Sequence, residues 1–311
     1  MSISSIKKKI NCFELASLPK AKRLTLARVC IRDHPSTNKT QLSHILKLNR
    51  STLYVPQVKD KSDKILAGDI VLLLRDNPFY DYRRVAIYFK WGDNKARRLM
   101  RKYDIFPRYR KPRFLVKKDD LGNEASTNQN HLKPLVTSGG LCMPNIAWST
   151  DFTYLHYRSS FLYLATVIDT YTKEIVGYSI SHRHTADLVQ KAMRNAITRH
   201  NAPQIHHSDQ GSEYQSYQYQ DYLRRHNIQI SMSKKSSPWE NGFQESFYGK
   251  FKSELGTLNI YNTEIEAIEA VILQLHYYNN KRIHTTIRDI PALFRVKELA
   301  KLNSLRRELS V

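Results

Sequence analysis

Three carboxylates stand where packing does not call for them. Asp151 lies inside Trp148-Ser149-Thr150-Asp151-Phe152-Thr153-Tyr154, an aromatic and β-branched run that reads as a strand. Asp209 closes a short apolar segment ending in His207-Ser208 and precedes a turn at Gly211. Glu245 sits on a helical pattern, with 35 residues between it and Asp209. Carboxylates are disfavoured within strands, and three brought together repel unless a cation joins them. Oxygen donors with open coordination positions suit Mg²⁺ or Mn²⁺. Two such ions, about 3.5–4 Å apart, activate an attacking oxygen and stabilise a leaving one in an in-line displacement. Asp151, Asp209 and Glu245 are therefore the expected catalytic residues and metal ligands.

The elements that must position them follow from periodicity. Trp148–Tyr157, Phe161–Asp169 and Glu174–Ile180 read as strands, joined by connections short enough for hairpins. A helix from Thr185 to His200 follows, then a strand at Gln204–Ser208, a helix over Ser216–His226 and a fifth strand at Ile228–Met232. Three antiparallel strands followed by alternating helices and strands predict a mixed α/β sheet with helices on its faces. Over residues 239–255, Phe243, Phe247, Phe251 and Leu255 recur every four positions as a buried stripe. Lys252, two turns beyond Glu245, shares the face of that carboxylate and is placed to meet a phosphodiester. His206 and His207 read as structural or DNA-contacting, since oxygen suits these cations better than imidazole. Asp169, at a hairpin end, reads as a turn former. A long helix, Glu264–Asn279, and a basic tail close the chain.

The chain has 311 residues and a net charge of +22, unevenly spread. Residues 1–120 hold 29 Lys and Arg against 11 Asp and Glu, whereas residues 121–311 hold 21 against 17. Such segregation points to a polyanion partner, nucleic acid ahead of a membrane surface. There is no apolar run of membrane-spanning length and no signal segment, so a cytoplasmic protein is expected. Three scattered cysteines fit neither a disulfide framework nor a zinc site. Residues 20–31, 40–46 and 49–55 read as short helices, the last capped by Asn49 with Arg50, Ser51 and Thr52 in its first turn. That is a helix-turn-helix pattern. A second basic three-helix region is expected over 61–118, its first helix capped by Ser62. Across 95–118 there are eleven basic residues and one acid, Asp104, so phosphate contact is expected from Arg97, Arg98, Arg101, Arg108, Arg110 and Lys111. Residues 119–145 lose hydrophobic periodicity and read as a linker.

The motifs Trp148…Asp151-Phe-Thr-Tyr154, Val167-Ile-Asp169…Ile175-Val-Gly-Tyr-Ser179, His207-Ser-Asp209-Gln-Gly-Ser-Glu-Tyr214 and Glu240-Asn241-Gly…Glu245-Ser-Phe…Lys252 together resemble the integrase core of bacterial insertion-sequence transposases. The similarity is to the OrfB type, relatives of retroviral integrases, whose Asp–Asp–35–Glu signature this spacing matches. Tyr277-Tyr-Asn-Asn-Lys-Arg-Ile-His284…Pro291…Phe294 resembles the family's C-terminal signature, and the likeness covers about 62–294. It implies a ribonuclease-H-like fold over 146–260; the residues themselves predict an all-α helix-turn-helix region over 1–60 ahead of it and a helical region over 261–311 behind it. It also implies metal-dependent cleavage and strand transfer at element ends, with Asp151, Asp209 and Glu245 as metal ligands and Lys252 engaging the DNA end. Expected partners are double-stranded DNA, further copies of the chain on that DNA, and a separate protein from an upstream frame. The sequence departs from the family at Asp81 and Gly242, where glycine and alanine are usual, and at Thr285-Thr-Ile-Arg-Asp-Ile290, which lacks a usual glycine. Two other functions share this frame: a DNA-binding regulator that keeps the core as a scaffold, and a structure-selective nuclease that cleaves without joining.

Overall fold

The computed structural model describes residues 18–54, 56–108, 129–233 and 242–308. They fall into two compact units, one of residues 1–76 with 98–105, the other of 77–97 with 106–311. Among the described residues no helix is long and apolar enough to cross a membrane.

The first unit holds α1 (Lys20–Asp33), α2 (Lys39–Ile45), α3 (Arg50–Tyr54) and α4 (Pro56–Asp76). Its core is Ala27, Cys30, Leu42, Leu46, Leu48 and Leu53. Asn38 caps α2 by accepting from the Thr40 and Gln41 N–H groups. The Asn49 carboxamide accepts the Ser51 N–H at 3.1 Å, the cap expected for the third helix. Helix α4 begins at Pro56, not at Ser62, which lies in its interior. Proline is favoured at a first helical position because its missing N–H has no partner to lose there.

The second unit opens with α5 (Tyr82–Tyr88) and holds the start of α6 (Asp93–Lys102), whose residues from Arg98 onward belong to the first unit. The Asp81 carboxylate caps α5 through the Arg84 N–H at 3.1 Å, so the departure from the family pattern supplies an N-cap. The segment 77–97 belongs with the sheet-bearing unit instead of forming one body over 61–118. Arg84, 7% exposed, donates to the carbonyls of Phe79 and Ile283, and the Tyr80 hydroxyl accepts the Ile283 N–H at 2.7 Å.

The sheet has the order β3-β2-β1-β4-β5, with β1 (Ala147–Tyr157), β2 (Ser160–Asp169), β3 (Ile175–Ser181), β4 (Ile205–Ser208) and β5 (Gln229–Met232). The first three strands are antiparallel, and β4 joins β1 in parallel, with β5 parallel to β4. This is the ribonuclease-H-like arrangement. One face packs on α8 (Ala186–Arg199), α9 (Ser212–Gln215) and α10 (Tyr217–Arg225) through Trp148, Val167, Leu188, Val189, Tyr214 and Leu223. The other packs on α11 (Gly242–Leu255) and α12 (Glu264–Asn280) through Leu155, Leu164, Phe247, Phe251, Val271 and Leu275.

One expectation gives way, and the C-terminal helix is more deeply buried than its charge suggests. The linker over 119–145 does not extend to its end: α7 (Leu132–Ser138) packs Leu132 against Ile146, Ala147 and Ile205. Its seven residues are too few to show a helical period. The basic tail is a helix, α13 (Pro291–Glu308), whose Arg295 is 4% exposed and pairs with Asp169 and Glu174 at 3.3 Å. The helix lies within the helical region expected over 261–311; what its sequence hides is the burial of Arg295, since a buried arginine carries no hydrophobic signature. At the glycine-less turn Arg288 takes φ 53°, the left-handed conformation glycine would favour.

Gly177 sets the distance between β3 and α8. A Cβ there would lie 2.7 Å from the Ala196 Cβ, 2.8 Å from its N and closer still to the Ala192 carbonyl oxygen. At Gly242 an added Cβ meets nothing within 4 Å. Gly177→Ala should therefore destabilise by about 1–3 kcal/mol through overpacking, whereas Gly242→Ala should be neutral or stabilising. Paired thermal melts check this, and equal melting temperatures would contradict the close approach.

Candidate active site

Asp151 occupies β1, where its neighbour across β2 is Thr166. On the other side the parallel register sets Ser149 against His207. Continued two residues past that pair, the same offset brings Asp151 level with Asp209, just beyond the end of β4. Asp209 turns back on its own loop, its Oδ1 accepting the Gly211 N–H at 3.0 Å. A Cβ on Gly211 would stand 3.1 Å from that oxygen, so the loop closes only around a glycine or a small displacement.

Glu245 is exposed on the first turn of α11. Two polar residues fix the rotation of that helix. Gln244, fully buried, donates to the Ser149 carbonyl at 2.6 Å and accepts from the Thr166 hydroxyl at 3.1 Å. One turn later the Tyr248 hydroxyl donates to the Asp151 carbonyl at 2.7 Å and lies 2.8 Å from the Thr166 hydroxyl. The apolar stripe is present as expected at Phe247 and Phe251, while Phe243 and Leu255 are only partly buried. Gln244 and Tyr248 were missed because polar side chains four apart look like a solvated face. The available signal was their adjacency to Phe243 and Phe247, which widens the buried arc.

The electrostatics report the proximity of the three acids. Burial pushes the Asp151 carboxyl up to about 7; the Asp209 and Glu245 charges add to the rise, while the Phe152 N–H and Lys252 oppose it. Asp209 reaches solvent, yet the surrounding protein pushes its carboxyl up, opposed by the Gly211 N–H and reinforced by Glu213. Lys252 stands with its amine 4.5 Å from the Tyr154 ring centre. Burial lowers the proton affinity of that amine, and Asp151 partly restores it. Asp151, Asp209, Glu245 and Lys252 thus share one neighbourhood. Among the described residues no group of three His, Cys, Asp or Glu side chains is drawn together at ligating distance.

His206 and His207 are fully buried and take the structural side of their two readings. His206 Nε2 lies 3.0 Å from the Thr150 hydroxyl and 2.9 Å from the Tyr219 hydroxyl, and burial lowers its pKa to about 3. His207 Nδ1 lies 2.9 Å from the Ser231 hydroxyl. Asp169 is the turn former expected, accepting from the N–H groups of Tyr171 and Thr172.

The expected DNA-contact residues lie apart from this site in sequence. Arg50 and Ser51 are exposed and Thr52 half-buried on α3, with the Ser51 hydroxyl already bonded to Asn49. On α6, Arg97 is exposed, its guanidinium 4.3 Å from the Tyr82 ring centre, and Arg101 is exposed. Arg98, also exposed, carries an ion pair besides. Both its terminal nitrogens bond Asp63, at 2.6 and 2.8 Å, and Lys102 reaches the same carboxylate at 2.9 Å. Asp63 is 3% exposed and its carboxyl is held far below the usual range, first by Arg98. Arg98 therefore neutralises a buried acid that the sequence places 35 residues away. Arg108 is exposed, while Arg110 and Lys111 lie outside the described residues.

Known proteins resemble this chain in sequence. Residues 142–238 and 226–291 match families described as Integrase core domain. A 31 kDa protein of insertion element IS600 from Shigella sonnei is 35% identical over 203 residues, covering 62% of this chain and 75% of that one. The chain belongs to the insertion-sequence transposases with an integrase core. The putative transposase InsK of IS150 from Escherichia coli is 31% identical to it, over 68% of this chain and 75% of that one. The transposase of IS904 from Lactococcus lactis is 40% identical over a shorter stretch, 46% of this chain and 57% of that protein. A solved HTLV-2 integrase catalytic core in complex with magnesium is 19% identical, covering 50% of this chain and 98% of that chain, with a TM-score of 0.43. This transposase is a polynucleotidyl transferase of the integrase type.

A carboxyl raised on folding costs stability wherever it must ionise. Because the folded Asp151 holds its proton up to about pH 7, against an ordinary value of about 3.9, stability without divalent cations should fall as pH rises through that window. Asp151→Asn removes the ionisation. It should melt several degrees above the parent at pH 8 in chelator and equal to it near pH 4. A gain confined to low pH, or none at pH 8, would contradict the field described.

Proposed function

We propose that Asp151, Asp209 and Glu245 hold divalent cations, Mg²⁺ or Mn²⁺, and that the transposase uses them to cut and join strands at the ends of an insertion sequence. The observation that carries this is the state of Asp151, a carboxyl raised by burial and by two neighbouring acids on a strand and helix clamped together by Tyr248. A donor set of three oxygen-bearing acids fits a hard cation, and binding one removes the repulsion that raises Asp151. When bound, such a cation stabilises charge on the attacking and leaving oxygens of a phosphodiester.

The chain's own residues supply the positioning. Gln244 and Tyr248 hold the helix of Glu245 in register with β1, which keeps Glu245 from rotating away when DNA binds. Lys252, packed on Tyr154, sits beside Asp151 and neutralises a phosphate at the DNA end without competing for the carboxylates. Arg50, Thr52, Arg97, Arg101 and Arg108 extend the contact to double-stranded DNA, with further copies of the chain, or a separate partner protein, assembling on it.

The test is cleavage and joining of a labelled element-end duplex with Mg²⁺ or Mn²⁺, run beside DNA binding and thermal melting. Asp151→Asn, Asp209→Asn and Glu245→Gln should each reduce chemistry by a thousandfold or more while folding and DNA binding persist, on the order of other losses of charge-stabilising groups. Lys252→Ala should weaken engagement of the cut end and spare cation binding. Retained cleavage in Glu245→Gln would overturn the triad. Metal-dependent cleavage without joining would favour the nuclease, and intact binding with no cleavage by the parent would favour the regulator. Replacing Arg97 and Arg101 together should weaken binding to all sequences and flatten its salt dependence, whereas Arg50 and Thr52 replacements should shift sequence preference.

A further inference from the structure

A second site lies on another face of α11. Phe243, Phe247 and Lys250 of that helix line a cavity of about 470 Å³, closed by α7, the β2–β3 turn and the C-terminal end of α12 with the turn that follows. The volume falls within the roughly 300–1,000 Å³ of small-molecule sites. Its walls are apolar and aromatic: Leu132, Ile168, Phe243, Phe247 and Tyr278. Its charged lining is one-sided, with Lys133, Lys173, Lys250, Arg282 and His284 present and no Asp or Glu among the described lining residues.

The cations differ in what already answers them. Arg282 is 2% exposed and is neutralised by Glu254, with contacts of 2.7 to 3.0 Å. His284 is held neutral by burial, then by the charges of Arg282 and Lys250. Lys173 has its amine 4.0 Å from the Phe243 ring centre and donates to the Thr170 carbonyl. Burial lowers the proton affinity of both Lys173, to about 8, and Lys250. Holding the half-buried Lys173 amine over an apolar wall is unfavourable, and an anion entering the cavity between it and the exposed Lys250 offsets that with charge-assisted hydrogen bonds. An inorganic anion would leave the aromatic wall uncovered. A flat ring bearing a phosphate satisfies both halves.

We propose that this cavity binds a nucleotide-type ligand, a heterocyclic ring packed on the Phe243 wall with its phosphate taken by Lys173 and Lys250. Two sources share that chemistry, a free nucleotide and an unpaired terminal nucleotide of DNA. The site is independent of the acidic triad, because its lining contains none of the three carboxylates.

The experiment uses the full chain in chelator, so that cation binding at the triad does not contribute. A fluorescent N-methylanthraniloyl derivative of dAMP is titrated and followed by anisotropy, then competed with unlabelled dAMP, adenosine and inorganic phosphate. Saturable binding is expected, displaced by dAMP at least tenfold better than by adenosine or phosphate. Lys173→Met with Lys250→Met should weaken it at least tenfold, and Val136→Trp, which fills the cavity from the half-exposed side of α7, should do so without removing charge. Glu245→Gln should bind as the parent does, which separates this result from failure of the triad. No saturable binding, equal displacement by adenosine, or unchanged binding in both the double variant and Val136→Trp would overturn the proposal. If the double variant does not melt cooperatively, Val136→Trp decides alone. Tighter binding of a duplex with one unpaired terminal nucleotide than of a blunt duplex, lost in the cavity variants, identifies DNA as the source; equal binding of the two duplexes with retained dAMP binding identifies the free nucleotide.

Discussion

The rotation of one helix about its axis governs everything at the acidic site. An α-helix carries its residues about 100° apart, so a small roll of α11 would move Glu245 several ångströms relative to Asp151. Phenylalanines cannot prevent that alone, since apolar packing is non-directional. The restraint is polar. Gln244 and Tyr248 reach the carbonyls of Ser149 and Asp151 and the side chain of Thr166, all on the central strand pair. These bonds lie within the sheet's buried face, where leaving a donor or acceptor unmade costs about 1–3 kcal/mol. A rolled helix would break several at once.

Two groups of acids in the same unit show what the protein does with a carboxylate it needs for structure and one it does not. Asp169 accepts three backbone N–H groups, from Asn145, Tyr171 and Thr172, and pairs with Arg295. Glu174 shares that arginine, although burial still raises its carboxyl to about 7. Asp63, in the other unit, is answered by Arg98 and Lys102. Asp151 has a different environment. Its nearest donor is the N–H of the next residue, and two of its charged neighbours are acids. The structural acids are met by direct ion pairs, whereas Asp151 has the more distant charge of Lys252 against those of two acids, which leaves a place for a charge from outside.

The sheet and the acidic residues were legible because their signals are local. Period-two alternation and hairpin-length connections fixed β1 to β3, and carboxylates in a strand and at a strand end stood out against propensity. What was not legible depends on partners distant in sequence. Arg98 looks like a free phosphate contact until Asp63 is placed beside it, and Arg295 looks like part of a basic tail until it meets Asp169. Gln244 and Tyr248 look solvent-facing until the strands supply carbonyls. Gln244, Tyr248 and Arg295 are buried polar groups whose burial is made tolerable by a long-range hydrogen bond, Arg98 is the exposed partner of a buried acid, and hydrophobic periodicity is blind to both. The departures from the family pattern were legible as departures but not in sign: Asp81 caps a helix, and Arg288 takes a left-handed conformation in place of a glycine.

The charge of the chain acquires a different meaning once these partners are known. Segregation of basic residues toward the first 120 positions is a long-range signal for a polyanion, yet part of that excess is internal. Arg98 and Lys102 answer Asp63, and Arg84 is buried against backbone carbonyls of the sheet-bearing unit. Basic residues of this kind stabilise the fold and add to the field without touching a phosphate directly. Others, Arg50, Arg97, Arg101 and Arg108 among them, are exposed and open to a polyanion. The salt dependence of DNA binding should then report the exposed basic side chains that reach phosphate and not the whole excess of charge, since the slope of log affinity against log salt grows with the number of phosphates neutralised.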